Sequence, residues 1–265
     1  MKIAFIGGGN MGEAMLAAVL KGVSPPPAIS VSDVSQVRRQ HLQQEYGVAV
    51  TTTNQQAAAG GDIVILAIKP QNLTEAMAEL NGQLKAAQMV LSIIAGAKID
   101  TLRTGLNHGA VVRAMPNTPA QIGEGISVWT ATPEVTEQQK SWTVSILGAM
   151  GREIYVDDEK YIDMATAVSG SGPAYVFLFV ECLFDAAVRI GLPHDMAQEL
   201  VLETLLGSGH FIQKSGKTPA ELRRMVTSPG GTTAEALLQF EKGEFSNLIL
   251  KAVNAAYNKV KKLAC

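Results

Sequence analysis

Short apolar runs alternate with segments of helical periodicity over residues 1–158, and this alternation predicts a doubly wound α/β sheet. Several runs are apolar at consecutive positions, as expected for parallel strands that are covered on both faces. The predicted strands are KIAFIG, AISVSD, DIVILAIKPQN, MVLSIIAG, AVVRAMPNTPA, ISVWTA and GREIYV. The segment EVTEQQKSWTVSILGAMG is the predicted helix between the last two strands.

Residues 159–265 carry helical spacing and no strand pattern, which predicts an all-helical C-terminal domain. Its most apolar helix is GPAYVFLFVECLFDAAVRIGL, in which Pro173 suits the first helical position after Gly172. This helix is apolar around most of its circumference, and the few remaining helices cannot cover it. We therefore expect it to pack against a second copy of the chain. The run is too short, and with Glu181 and Asp185 too charged, to span a bilayer.

Three glycines follow the first strand in the pattern Gly7-x-Gly9-x-x-Gly12, at the point where a helix begins. The first glycine permits a tight turn, the second lets the backbone approach a pyrophosphate, and the third lets the helix pack on its strand. The free N–H groups of the helix N-terminus would face the anion. With a second strand at the right distance, the pattern predicts a Rossmann-like dinucleotide site.

The choice between NAD and NADP stays open on the residues alone. Asp33, at the end of the second strand, can accept hydrogen bonds from both ribose hydroxyls and would repel a 2′-phosphate. The hydroxyls of Ser32 and Ser35 and a guanidinium of Arg38 or Arg39 could instead hold that phosphate. The two arginines fit a solvated helix face equally well.

The strand DIVILAIKPQN runs into Lys69 and Pro70 at its carboxyl end, the sheet edge where ligands bind in such folds. Lys69 could be an ordinary surface lysine, but its position favours a side chain that faces a ligand.

A second glycine-rich helix start lies far along the chain, in MVTSPGGTTAEA from Met225 to Ala236. Pro229 and the two glycines end one helix, and Thr232 or Thr233 could cap the next. The segment could be a plain joint between helices. It could also bind a small carboxylate, because flexible glycines, hydroxyls and free N–H groups suit an anion. Beside a nicotinamide cofactor, that anion would be an acidic substrate.

Composition adds limits on partners and location. The chain has 265 residues, a formal net charge of −2 and a pI near 6.1, and no run of Lys or Arg exceeds a pair. This balance argues against nucleic acid as the main partner. Neither the two cysteines nor the four scattered histidines have metal-ligand spacing, so we expect no metal. We expect Cys182 to be a small core residue, Cys265 to be a thiol at a frayed end, and the location to be the cytoplasm.

The residues resemble the pyrroline-5-carboxylate reductase family over essentially the whole chain. The shared motifs include FIGGGNMG, AIKPQ, RAMPNTPA, SGSGPAYVF and, most specifically, PAELRRMVTSPGGTTAEALLQFE. The last motif matches the family signature at Pro219, Leu222, Ser228, Gly230, Gly231, Thr233, Ala236, Leu237 and Phe240.

The resemblance implies reduction of 1-pyrroline-5-carboxylate to L-proline, the last step of proline biosynthesis, with NADPH and often NADH as the cofactor. It implies that helical domains interleave into homodimers and that dimers commonly assemble into decamers. The implied cofactor-binding residues are Ile6, Gly7, Gly8, Gly9, Asn10, Met11, Gly12, Ser32, Asp33, Asn54, Ala67, Ile68, Lys69, Pro70, Ile93, Ile94 and Ala95. The implied substrate-binding residues are Ser228, Gly230, Gly231, Thr232 and Thr233, with Thr233 near the ring nitrogen as the catalytic residue.

One position departs from the family, because Asp33 stands where NADPH-preferring members often have a small hydroxyl residue. Two other functions share part of this sequence pattern. A β-hydroxyacid dehydrogenase needs a lysine base on the helix after SGSGPAY, which here carries Val176 and no lysine down to Arg189. A redox sensor that had lost catalysis would be expected to degrade the distal turn, but TSPGGTT is intact.

Overall fold

The computed structural model describes residues 1–263 and divides into two units. The first comprises Met1–Ser171 together with the end of the last helix from Ala256 onward, and the second comprises Gly172–Ala255. Residues 159–171, which the sequence pattern assigned to the helical domain, fall in the first unit. The prediction made for Cys265 lies outside the described residues.

One eight-stranded sheet forms the centre of the first unit, in the strand order β3-β2-β1-β4-β5-β6-β7-β8. Strands β1 to β6 run parallel, β7 pairs antiparallel with β6, and β8 is parallel to β7. The strands are β1 (Lys2–Ile6), β2 (Ala28–Ser32), β3 (Ala49–Thr51), β4 (Ile63–Leu66), β5 (Met89–Ser92), β6 (Val111–Met115), β7 (Gly125–Ala131) and β8 (Gly151–Tyr155). The predicted doubly wound sheet is confirmed, and the three-residue β3 was missed.

Helices cover both faces of this sheet. Alternate residues of β1 point to opposite faces, so Ile3 and Phe5 join one apolar core whereas Ala4 and Ile6 join the other. The helices are α1 (Asn10–Gly22), α2 (Gln36–Tyr46), α3 (Asn54–Ala58), α4 (Leu73–Leu80), α5 (Ile99–Leu106), α6 (Glu137–Gly148) and α7 (Lys160–Ala165), with short 3-10 turns at Pro70–Asn72 and Thr118–Ile122.

A buried ion cluster ties β6 to α7. The side chain of Arg113 is fully buried, and its two Nη atoms lie 2.6 Å from Glu159 and 2.5 Å from Asp163. Its Nε is the one buried side-chain polar atom in residues 1–263 without a hydrogen-bond partner. These pairs explain why residues 159–171 pack with the sheet rather than with the later helices. Nothing in the sequence pattern predicted them.

The second unit is helical, as predicted, but it has a small core. Only Ala187, Ala197 and Val201 form a buried apolar cluster, with a few partly buried neighbours. Many large apolar side chains are exposed, including Phe177 and Leu178, which are 64% and 59% exposed. The helices are α8 (Gly172–Arg189), α9 (His194–Ser215), α10 (Pro219–Met225), α11 (Thr232–Lys242) and α12 (Phe245–Leu263), whose end belongs to the first unit.

Two predictions about the most apolar helix need correction. Cys182 is exposed rather than a core residue, because most of α8 has no cover within this chain. The prediction that the apolar run is too short to span a bilayer is also wrong, because α8 belongs to a longer helical segment. This helix continues from α7 through a π-helical turn, Thr166–Gly170, and the helical segment Lys160–Arg189 is 30 residues long. By length and composition alone, this segment could cross a membrane, and it is the one such helix in residues 1–263.

Candidate active site

The first glycine-rich loop is shaped by contacts with its own chain. Gly7 has φ +97°, and a Cβ added there would lie 2.7 Å from the carbonyl oxygen of Ala67. A Cβ on Gly12 would lie 2.7 Å from the carbonyl oxygen of Gly7, and one on Gly8 would lie 2.4 Å from Leu42. Glycine at these positions therefore allows the tight turn and the close approach of α1 to the loop.

Gly9 differs from its neighbours, because a Cβ added there would meet no atom within 4 Å. It is the N-cap residue of α1 and carries no side chain that could cap the helix. The first backbone bond of α1 runs from the Glu13 N–H to the Gly9 carbonyl, at 2.8 Å. The N–H groups before Glu13 have no acceptor in the helix and offer an anion site beside open space. Asn10, Met11 and Gly12, all predicted cofactor residues, carry them.

A cleft of about 310 Å³ opens beside this loop at the carboxyl ends of the strands. Eight of the predicted cofactor residues line it, namely Gly7, Gly9, Ser32, Asp33, Asn54, Ala67, Ile68 and Lys69. The sequence missed five further lining residues, namely Val34, Asn72, Glu75, Ala76 and Glu79. The last four share the spacing i, i+3, i+4 and i+7, so one helix face after Pro70 could have been found by its periodicity.

The remaining predicted cofactor residues do not line this cleft. Ile6 and Gly8 are buried beneath the loop. Ile93 and Ile94 point into the two apolar cores, so only their backbone could touch a ligand. Ala95 packs against a third small cluster around Met115. The others outside the lining are Asn10, Met11, Gly12 and Pro70.

A hydrogen-bond network organises the end of β2. The Asp33 carboxylate accepts the N–H of Gly8 and the N–H of Ser35, each at 2.8 Å, and so links the glycine loop to the start of α2. Ser32 donates its hydroxyl to the side-chain oxygen of Asn54 at 2.6 Å. Asn54 in turn donates to Glu79 at 2.8 Å. The hydroxyl of Ser35 accepts the backbone N–H at the third position of α2 and caps that helix.

The two arginines that could have held a 2′-phosphate are engaged with the protein itself. Arg38 donates from Nε and Nη2 to the Gly8 carbonyl, at 2.9 Å and 2.6 Å, and pairs with Glu13 at 2.5 Å. Arg39 donates to the carbonyl of Asp33 at 2.5 Å. Neither arginine lines the cleft.

The carboxylate of Glu13, in the first turn of α1, is held in its charged form. Burial raises the pKa of Glu13, but hydrogen bonds from Arg38, His41 and Tyr46 outweigh this effect and lower the pKa below its usual value. These bonds join α1 to α2 next to the glycine loop.

The second glycine-rich segment, residues 228–233, forms an elbow between α10 and α11. The N–H of Gly231 donates to the carbonyl of Ser228 at 3.0 Å and closes a turn with Pro229 and Gly230 at its centre. Gly230 has φ +70°, the sign that a type II turn requires at this position. A Cβ on Gly230 would meet no atom within 4 Å, so its conformation rather than crowding explains the glycine.

The predicted cap of the following helix is wrong. Gly231, not Thr232 or Thr233, is the N-cap of α11, and no side chain caps this end. The threonines occupy the first two helical positions, because the turn leaves the extended cap conformation to Gly231. The first backbone bond is donated by Glu235 to the Gly231 carbonyl at 3.2 Å. The N–H groups of Thr232, Thr233 and Ala234 therefore precede the first bond of the helix, as an anion site requires.

Metal chemistry has no candidate site in the described part of the chain. No group of three or more His, Cys, Asp or Glu side chains in residues 1–263 is placed to hold an ion. Of the histidines, His41 pairs with Glu13 at 2.6 Å, and His108 contacts the carbonyl of Gln88 at 2.8 Å. These contacts are structural rather than ligating.

Comparison with known proteins places the chain in a family. Residues 159–263 match the family described as pyrroline-5-carboxylate reductase dimerisation, and residues 2–96 match NADP oxidoreductase, coenzyme F420-dependent. A pyrroline-5-carboxylate reductase of Arabidopsis thaliana is 38% identical over 264 residues, which cover 99% of this chain and 95% of the relative.

Solved structures agree with the sequence match. A pyrroline-5-carboxylate reductase from Coxiella burnetii, 35% identical, superposes with a TM-score of 0.89 over 100% of this chain and 98% of that one. A Plasmodium falciparum pyrroline carboxylate reductase with NADP bound is 30% identical, with a TM-score of 0.91 and coverage of 100% and 98%. The cleft, the uncapped elbow and these matches over nearly full length lead to one conclusion: the chain belongs to the pyrroline-5-carboxylate reductase family.

Proposed function

We propose that this chain transfers a hydride from NADPH, or from NADH, to the C=N carbon of 1-pyrroline-5-carboxylate and so forms L-proline, the last step of proline biosynthesis. The observation that carries the proposal is the elbow at Ser228–Thr233, an uncapped helix start beyond a turn held open by Gly230. An acidic imine is the kind of substrate that such a start can anchor by its carboxylate.

The cofactor fits the first unit. The glycine loop and the N–H groups at the start of α1 would hold the pyrophosphate, and the cleft lined by Asp33, Asn54 and Lys69 would hold the adenosine half. The absence of a side chain at Gly9 leaves open space beside the loop, which a Cβ atom would partly fill and which would hold the pyrophosphate. When bound, the reduced nicotinamide supplies the hydride. We propose that the backbone of Ile93 to Ala95 lies beside the nicotinamide ribose.

The substrate asks little of the side chains. A protonated imine is already electrophilic. The protein therefore mainly has to hold the imine and the nicotinamide in the orientation that allows hydride transfer. Orientation of this kind contributes on the order of 7–11 kcal/mol to lowering a barrier. We propose that Ser228, Gly230, Gly231 and Thr232 hold the carboxylate, and that the hydroxyl of Thr233 bonds the ring nitrogen. The nitrogen proton arrives with the substrate or through water.

The test is spectrophotometric oxidation of NADPH with and without 1-pyrroline-5-carboxylate. Thr233→Ala should lower kcat by about tenfold or more, because a hydrogen bond to a charged group contributes roughly 1.5–3 kcal/mol. Cofactor affinity should change little. Thr227→Ala is the matched control, since this hydroxyl lies just before the elbow and donates to the Arg223 carbonyl at 2.6 Å. The control should affect melting temperature rather than turnover.

The same assay distinguishes the proposed reductase from the two alternative functions. Oxidation of a β-hydroxyacid, with no imine-dependent reaction, would indicate a hydroxyacid dehydrogenase, although the helix after SGSGPAY carries no lysine base down to Arg189. Nucleotide binding with no turnover of either substrate would indicate a redox sensor. Either result would overturn the proposed activity.

We propose further that the oligomer is a homodimer formed through the helical unit and that dimers assemble into decamers in the cytoplasm. The exposed apolar surface of α8 and the match to a dimerisation family support an oligomer. Glu181 and Asp185 on α8 argue against a bilayer as its cover, because carboxylates inside a membrane are costly. We expect neither a membrane nor nucleic acid as a partner. A stable, soluble monomer in light scattering would contradict the dimer.

A further inference from the structure

Asp33 occupies a fixed position at the place where the adenosine ribose would bind. Its two carboxylate oxygens each accept one backbone N–H, from Gly8 and from Ser35 at 2.8 Å. A carboxylate has about four lone-pair sites, so two acceptor sites remain for the cleft that Asp33 lines. A carboxylate fixed in this way is suited to the 2′- and 3′-hydroxyls of an unmodified ribose.

The wall of the cleft around Asp33 is acidic. Glu75 and Glu79 on α4 line the same cleft, and Lys69 is the one cationic side chain among the lining residues, all of which lie in the described part of the chain. The lining therefore carries three carboxylates against one ammonium group. A 2′-phosphate brings a further charge of about −1.5 to −2 at neutral pH into this surrounding.

Neither Arg38 nor Arg39 lines the cleft, and each donates to a backbone carbonyl. Arg38 binds the Gly8 carbonyl, and its charge is matched by the Glu13 carboxylate at 2.5 Å. Arg39 donates to the backbone carbonyl of Asp33. The hydroxyl of Ser32 donates to Asn54, and the hydroxyl of Ser35 accepts the cap bond of α2. Arg38 and the hydroxyl of Ser32 could turn to a phosphate only by breaking these contacts.

We propose that Asp33 is a specificity-determining residue and that it makes this chain bind NADH at least as tightly as NADPH. The inference rests on the proposed function only in taking the cleft as the nucleotide site. It concerns the 2′-position of the adenosine ribose and is independent of the imine and of the elbow.

The experiment measures dissociation constants of NADH and NADPH by fluorescence titration, without any imine substrate. The ratio Kd(NADPH)/Kd(NADH) is the readout, because it does not depend on the folded fraction of a preparation. We expect a ratio of one or more for the unmodified chain, falling by about tenfold in Asp33→Asn, which keeps the size of the side chain but removes its charge and one of its two acceptor oxygens. Raising the salt concentration should lower the ratio in the unmodified chain more than in the variant.

Asp100→Asn is the matched control, since it removes an exposed carboxylate on α5 that does not line the cleft. Its ratio should equal that of the unmodified chain. The proposal is overturned if the unmodified chain binds NADPH more tightly than NADH, or if Asp33→Asn shifts the ratio no more than Asp100→Asn. Should Asp33→Asn fold poorly, Asp33→Ser is measured in the same way. If the ratio is as expected but the chain shows no imine-dependent turnover, the proposed reaction is contradicted, whereas the inference about Asp33 is not.

Discussion

The two glycine-rich helix starts resemble each other in form but differ in what makes the glycines necessary. Each has a glycine N-cap without a side-chain cap, at Gly9 and at Gly231. Each also has one glycine with positive φ, Gly7 at +97° and Gly230 at +70°. A Cβ added to Gly7 or Gly12 of the first loop would strike neighbouring atoms, whereas a Cβ on Gly230 would meet nothing within 4 Å.

This difference separates glycines that the fold needs from glycines that a ligand needs. Gly7 and Gly12 are confined by the backbone of their own unit, so their substitution should be measurable as lost stability. Gly9 faces open space with an ordinary φ of −68°, so its substitution should be measurable mainly as lost binding. Gly230 also faces open space but has a positive φ, so its substitution should lower stability slightly as well as turnover. Single substitutions at these glycines test that division.

The largest effect is expected from Gly7→Ala. The new methyl group would meet the Ala67 carbonyl oxygen at 2.7 Å in a backbone conformation that L-residues rarely adopt. Strain and overpacking together should lower the free energy of unfolding by about 3 kcal/mol. Urea denaturation followed by circular dichroism measures this change. A loss below about 1 kcal/mol would show that the loop relaxes and that packing does not explain the glycine.

Gly9→Ala should weaken cofactor binding while leaving stability almost unchanged. Because the added methyl group meets no protein atom, the free energy of unfolding should change by about 0.5 kcal/mol or less. The dissociation constant for NADPH should nevertheless rise by about tenfold, since the methyl group occupies the space of the pyrophosphate. Fluorescence titration measures the affinity. Unchanged NADPH binding would mean that the anion does not approach this part of the loop.

Much of the sheet and of the first loop could be predicted from the sequence, because their constraints are local. Consecutive apolar residues marked the buried strands, and the glycine spacing marked the loop. Strand β3 was missed because three residues, Ala49–Thr51, give too short a pattern. The cleft wall at Asn72, Glu75 and Glu79 was missed despite its helical spacing, because polar residues at that spacing are equally typical of a solvated face.

Features that depend on distant partners could not be predicted. Arg113 lies in the strand VVRAM and finds its partners, Glu159 and Asp163, about 50 residues later. Cys182 was expected to be buried, but its helix lacks a cover in this chain. Gly231 occupies the N-cap position of α11, because the turn conformation outweighed the capping preference of threonine. The local sequence left residues 228–233 as either a helix joint or a carboxylate site. The roles of the individual residues came from the family resemblance, and they stay predictions.

The smallest expected effect, and the finest test of the comparison, concerns Gly230. Gly230→Ala should lower the free energy of unfolding by about 1 kcal/mol, because alanine resists the left-handed conformation while no atom opposes its methyl group. Gly230→Asn should recover much of that loss, since asparagine tolerates positive φ at this turn position. We expect the KM for the imine to remain raised in both variants, because any side chain narrows the approach to the elbow. If asparagine restored KM together with the melting temperature, the glycine would serve only the turn, and the elbow would resemble the packed glycines of the first loop.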